Sequence, residues 1–313
     1  MVTQALESVK VKRNYIGSAH IAGILEVEGA YGTPFSIAHE LKTGKSVFDD
    51  DENLPEPISL GIELEPYVLK SYAKKEGAKI YQTQPHHRMP GFSYLAATPD
   101  AMVQSADGNY RLVDAKVVGD YKWSEVPLRY EASSQWQLGI ARAAGANVDE
   151  CDLAVYHLPA RRLVVYRVSF NAEWFETAAD YAINWWKMYV VGDKTPPING
   201  HKTTTDILKR IQASAGKAVN LDAEAALIDE LAEANAVLKA AEERRDSIRN
   251  KLLAAMGDAE IGLVDGKPRF TWKAQKGRES LDTRALKADH PDRYEAYTRT
   301  GASFRVARIV GGK

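Results

Sequence analysis

The 313-residue sequence predicts a mixed α/β domain, with helices covering a central sheet, followed by a C-terminal region of one long helix and a β-hairpin. Two observations predict this. Helical and β-type patterns alternate in the order helix, strands, helix, strands, helix as far as Val191. Gly192 to Gly200 then combines two glycines with two prolines, and beyond it the composition turns to Ala, Glu, Leu, Lys and Arg.

Residues 1–30 open as a strand or loop and pass into a short helix that ends around Gly29–Gly32. Ser36 to Leu41 is helical in character, and the acidic, Pro-bearing stretch Val47–Pro57 reads as a surface loop. From Ile62 to Glu76 apolar residues recur close to a 3.6 period, predicting a helix stopped by Gly77. Lys79–Thr83, Ser93–Thr98, Asp100–Gln104 and Tyr110–Val117 read as strands. Turn residues mark Pro90-Gly91 and Ala106 to Asn109, the latter joining the last two strands as a hairpin. Glu131–Ala144 is expected as a helix, Leu153–Leu158 and Leu163–Ser169 as strands, and Asn171–Val191 as a long amphipathic helix with Asn171 as its N-cap. The expected division is therefore a catalytic-type domain over 1–195, a linker over 196–220 and an accessory module over 221–313. In that module Leu221–Met256 carries an apolar stripe that suits core packing or a coiled coil, and Ile261–Trp272 forms a hairpin around Asp265-Gly266.

Composition limits the function classes. With 45% hydrophobic residues, 41 Lys/Arg and 42 Asp/Glu, the chain is an ordinary globular one rather than disordered or collagenous. No apolar run is long enough for a membrane span, and the first residues lack a signal-peptide pattern. Cys151 is the single cysteine, so neither an internal disulfide nor a cysteine-ligated cluster is available, and a reducing cytoplasm is expected. Absence of G-x-x-x-x-G-K-[ST] argues against an ATP-driven helicase. Residues 201–313 hold 21 basic and 17 acidic side chains against 20 and 25 in residues 1–200, and Lys267–Arg308 holds 11 against 5. Such a basic end suits either a polyanion partner or a solvated surface.

One constellation carries chemistry. Thr98-Pro99 forces an extended entry into Asp100. Asp114 and Lys116 are two residues apart on a strand, so both project from one face with Leu112, while Val113, Ala115 and Val117 point into apolar packing. A hairpin at Asp107-Gly108 brings Asp100 back beside Asp114. Charged groups on an apolar strand are costly to bury unless they are paired or hold an ion. Two carboxylates beside an ammonium suit a hard divalent cation such as Mg²⁺.

Thr98-Pro99-Asp100 followed by Asp114-Ala115-Lys116 resembles the PD-(D/E)xK nuclease signature, with aspartate at the position where glutamate is commoner. Arg13-Asn14-Tyr15-Ile16-Gly17-Ser18, Gly61 to Pro66 and the Gln135-Trp136-Gln137 segment stand in the order of the YqaJ-like viral recombinase group, relatives of lambda exonuclease. That resemblance spans about residues 13–190 and implies a restriction-endonuclease-like core. It implies a Mg²⁺-dependent exonuclease, with Mn²⁺ able to substitute, that resects linear double-stranded DNA ends for phage-type recombination. Asp100, Asp114 and the Ala115 carbonyl would hold metal, with Glu65 binding a second ion or a water. Lys116 would position the attacking water, Gln135 would orient Lys116 or the nucleophile, and Arg13 and Ser18 would grip phosphate. A homo-oligomeric ring of three or four copies and a single-strand annealing recombinase as partner are implied by the same resemblance. An endonuclease on this core and a non-catalytic DNA-end scaffold are the competing functions.

Other residues invite chemistry less directly. His86-His87 face opposite sides of a strand and read as a surface or DNA-facing pair. Trp174, Tyr181 and Trp185-Trp186 read as helix packing, whereas Tyr121 and Trp123 are divided between DNA contact and packing. Cys151 reads as buried structure.

Overall fold

A computed structural model describes residues 14–44, 56–106, 108–210, 217–277, 279–299 and 306–309. Chain contacts divide it into two compact units, Met1–Leu208 and Lys209–Lys313.

In the first unit, α1 (Ser18–Ile24) follows Ile16, a fully buried residue bridged to Leu95. α2 (Pro34–Thr43) begins where Thr33 and Ser36 exchange side-chain-to-backbone hydrogen bonds of 2.8 and 3.1 Å, and Pro34 supplies a fixed φ at its first turn. α3 (Glu56–Glu76) stops at Gly77, whose φ of 61° any other residue would resist. The expected helix thus starts earlier than Ile62, and the loop expected over Val47–Pro57 lies outside the described residues except for its last two, which are already helical.

β1 (Lys79–Thr83), β4 (Ala101–Gln104), β5 (Tyr110–Val118), β6 (Glu150–His157) and β7 (Arg162–Ser169) form one sheet in the order β1-β4-β5-β6-β7. β5 and β6 run parallel and every other pair runs antiparallel. A parallel pair needs a crossover, which α4 (Leu128–Ala143) provides. β2 (His87–Met89) and β3 (Phe92–Ala97) pair only with each other, so the expected strand Ser93–Thr98 lies outside the main sheet.

β5 is packed on both faces. Val113 joins Val68, Leu69 and Tyr72 of α3 together with Ala154. Leu112 joins Leu138 and Ala141 of α4 with Cys151 on the other face. α5 (Ala172–Trp186), continued by one π-helical turn over Lys187–Val191, buries Phe175, Ala182 and Trp185 in the largest core cluster, and the Asn171 side chain accepts the Trp174 N–H as its cap.

α6 (Lys202–Arg210) occupies the stretch expected to be linker. Ile207 and Thr204 are buried, and Thr204 Oγ1 lies 2.9 Å from Thr33 Oγ1 at the start of α2. The compact body therefore extends to Leu208 rather than 195. Among its described side chains Thr204 and Ile207 are the buried ones, too few for periodicity to reveal.

The second unit contains α7 (Ala225–Met256), the hairpin β8 (Ile261–Val264) and β9 (Lys267–Thr271), α8 (Thr283–Asp289) and α9 (Pro291–Tyr297). Asp265 and Gly266, with φ of 51° and 72°, make the tight turn that the Asp-Gly pair predicts.

Candidate active site

The β4–β5 register pairs Ala101 with Val113, so one step further Asp100 stands across from Asp114. Asp100 Oδ2 accepts the Ala115 N–H at 2.7 Å. Asp114 is 4% exposed; its Oδ1 accepts from Lys116 Nζ at 2.7 Å, whereas its buried Oδ2 has no hydrogen-bond partner. Lys116 Nζ also donates to the Ala115 carbonyl at 3.2 Å. The ammonium therefore lies between the carboxylate and the carbonyl that the resemblance implies would hold a cation.

Charge is unbalanced here. Burial and then the neighbouring Asp114 push the Asp100 carboxyl well above the usual carboxylate range, against the pull of Lys116 and the Ala115 N–H. Glu65, on α3, is also raised, chiefly by burial; a hydrogen bond from Gln84 Nε2 at 3.3 Å and the charge of Lys116 partly offset that, while Asp114 adds to it. Burial works against the Lys116 ammonium, yet Asp114 and Asp100 outweigh it and hold its pKa above the ordinary value. Three acids thus share one lysine, and a buried carboxylate oxygen is left unsatisfied, a combination that a divalent cation would relieve. Among the described residues no three His, Cys, Asp or Glu side chains converge as a ready metal cage. The fitting donor set is two aspartates and a main-chain carbonyl, with Glu65 approaching from α3.

Gln135 is turned elsewhere. Its Nε2 donates to the Ser169 carbonyl and its Oε1 accepts the Asn171 N–H, both at 2.8 Å, so the amide fastens the end of β7 to the start of α5. Gln137, two residues on, donates to Ser18 Oγ at 3.5 Å and accepts from Cys151 Sγ at 3.8 Å. Ser18, half-buried at the start of α1, is thereby tied to α4. Arg13 lies outside the described residues.

Sequence reasoning passed over Arg129 and Tyr130. The Arg129 guanidinium covers the rings of Tyr130 and Tyr31, 4.5 and 5.2 Å from their centroids, and donates to Tyr130 Oη at 3.5 Å. Tyr130 Oη lies 2.9 Å from Tyr31 Oη, and the Tyr130 hydroxyl is near enough to act on Lys116 electrostatically. No carboxylate pairs with Arg129 among the described residues. Its sequence signal was slight: one arginine in the first turn of a helix. Trp123 is buried and stacked on Tyr130, with Nε1 donating to Asp120, so packing claims it, while Tyr121 is exposed. His86 and His87 form no shared site; His86 Nδ1 lies 2.8 Å from Thr98 Oγ1. Trp185 is buried and Trp186 stacks on Tyr94. No described helix is long and apolar enough to cross a membrane.

Residues 8–144 match the YqaJ-like viral recombinase domain. The chain is 24% identical over 292 residues to protein YqaJ of Bacillus subtilis (strain 168), covering 91% of this chain and 88% of that protein. Among solved structures it is similar to an alkaline exonuclease from Laribacter hongkongensis, with 14% identity, a TM-score of 0.44 and coverage of 57% of this chain and 90% of the other. A phage-related exonuclease from Haemophilus somnus 129PT is similar at 12% identity and a TM-score of 0.42, covering 56% of this chain and 94% of the other.

Proposed function

We propose, from the YqaJ-like viral recombinase domain in residues 8–144 and the groups gathered around it, that the chain is a divalent-metal-dependent exonuclease. Its substrate is linear double-stranded DNA, resected from the ends during phage-type recombination. The observation that carries the reading is Asp100 facing Asp114 with the Lys116 ammonium between ligand-type oxygens and Asp114 Oδ2 unsatisfied.

In this reading Asp100, Asp114 and the Ala115 carbonyl hold the cation, with Mg²⁺ the natural ion and Mn²⁺ its substitute, and Glu65 serves a second ion or a bound water. When bound, the cation polarises the scissile phosphate and lowers the pKa of a coordinated water. Lys116 holds the attacking water and neutralises charge that builds on the phosphate oxygens in the transition state. The water gives up a proton to solvent, its oxygen bonds to phosphorus, the bridging P–O bond breaks, and the departing oxygen takes up a proton from solvent. Arg129, free of any described acid and braced by two tyrosines, grips a backbone phosphate beside the reacting one.

End-labelled linear duplex and closed circular duplex, each incubated with Mg²⁺ or EDTA, test this. Mg²⁺-dependent loss of linear DNA alone is expected. Undiminished turnover in EDTA would end the metal reading, and equal cutting of closed circles would replace the exonuclease with an endonuclease. Lys116→Ala is expected to lower kcat by about 10²–10³-fold, and near-wild-type cleavage by that variant would remove Lys116 from the mechanism.

A further inference from the structure

From Leu227 to Ala255 of α7, side chains in core-type positions recur at alternating steps of four and three residues, apolar throughout except for Arg245. That is the heptad repeat of a coiled coil. Yet Leu227, Leu231, Leu238, Ile248 and Leu252 stand 45–60% exposed. A strip of leucine and isoleucine left in water along a helix about 48 Å long is the mark of an interaction surface.

The order of charges selects the partner. The first half of α7 carries Asp229, Glu230 and Glu233 against Lys239, and the second half carries Arg244, Arg245, Arg249 and Lys251 against three acids. Two parallel copies would oppose Arg245 to Arg245 in the core and Arg244 to Arg249 on the flank, like charges in contact. An antiparallel pair with its two-fold axis between Lys239 and Ala240 removes both clashes. Leu227 then meets Leu252 of the second copy, Leu231 meets Ile248, and Leu238 meets Ala241. Arg245 meets Ala234, a small side chain that leaves room for the arginine stem to reach the rim. On the flanks Glu230 meets Lys251, Asn235 meets Glu242, and Val237 lies along Arg244, so no like charges touch. Sliding one copy by a heptad toward its C-terminus would set Arg244 against Arg244. One register satisfies the apolar layers and the charges together.

We propose that α7 is a self-association element through which two copies of this chain pair antiparallel in that register. The pairing is isologous, as a two-fold contact requires, and it rests on nothing in the nuclease reading.

Full-length chains carrying single cysteines test it. Leu231→Cys and Ile248→Cys variants are prepared separately, then mixed and oxidised, with the buried Cys151 as the background control. Disulfide-linked dimer is expected in the mixture and not in either variant alone, because positions 231 and 248 lie about 25 Å apart along one helix. Linked dimer from each variant alone would mean parallel pairing and overturn the proposal. No linked dimer anywhere would mean that the same chain or another protein covers the stripe, and would overturn it equally. A charge exchange is the second arm. Glu230→Lys should weaken self-association, and Glu230→Lys combined with Lys251→Glu should restore it; failure of the double variant to recover would refute the register.

Discussion

At the residue scale, the role proposed for Asp100 runs against stability. Its carboxyl pKa is raised in the folded protein, so the native state prefers the protonated form. The resulting penalty is absent below the unfolded pKa, appears as pH rises through that value, and is complete above the folded value. In EDTA at alkaline pH, Asp100→Asn is therefore expected to melt above the wild type, with the gap closing toward acid pH. Divalent cation should reverse the order, stabilising the wild type by mass action and not the variant. Scanning calorimetry in EDTA and in Mg²⁺ reads both effects; a variant that melts below the wild type in alkaline EDTA would contradict the assignment. Gln135 makes the opposite case. Its buried amide serves two main-chain groups, so Gln135→Ala should cost about 1–3 kcal/mol of stability while kcat at a permissive temperature stays near wild type. A kcat collapse with unchanged Tm would restore Gln135 to the reacting groups.

At the element scale, α4 does two jobs. It is the crossover that makes β5 and β6 parallel, and it carries Arg129 and Tyr130 toward the site from its first turn. Its seating depends on Gly139, where an added Cβ would fall 2.0 Å from the Phe175 ring of α5. Alanine would favour the helix by about 1 kcal/mol, but a buried ring packed against Trp136 and Phe170 cannot step aside freely. Overpacking of that kind costs about 1–3 kcal/mol. Gly139→Ala is expected to lower Tm, and adding Phe175→Leu to recover part of the loss. A rise in Tm for the single variant would show that the contact yields. α3 and α5 were legible in the sequence because burial imposes its repeat over many residues, and α7 because its exposed apolar stripe keeps one spacing over many turns. β2, three residues long, and α6, with two residues buried, gave no repeat to read.

At the scale of the whole molecule, the boundary decides which truncations survive. A chain ending after Gly200 loses Thr204 and Ile207, and with Ile207 about 1.5–3 kcal/mol of burial and the hydroxyl contact to Thr33. A chain ending after Arg210 keeps the first compact unit and all of α6, and discards the second unit beyond its first two residues. The longer form is expected to unfold cooperatively near the full-length transition, and the shorter one well below it, in parallel thermal melts. Equal melting of the two would mean that α6 contributes nothing to the body.

The sequence by itself determined the alternating architecture and the Asp100, Asp114 and Lys116 set. Strand periodicity fixes which side chains share a face, and a short hairpin fixes which residues come back opposite one another; both rules are local. Tertiary structure alone decided the rest. Whether the Gln135 amide reaches Lys116 or the β7–α5 junction depends on how α4 lies across the sheet, and so does whether Trp123 meets solvent or the Tyr130 ring. The same packing brings Arg129 and Tyr31, far apart in the chain, into contact beside Tyr130. Such contacts join residues of large sequence separation through the packing of whole elements, and no local repeat encodes them.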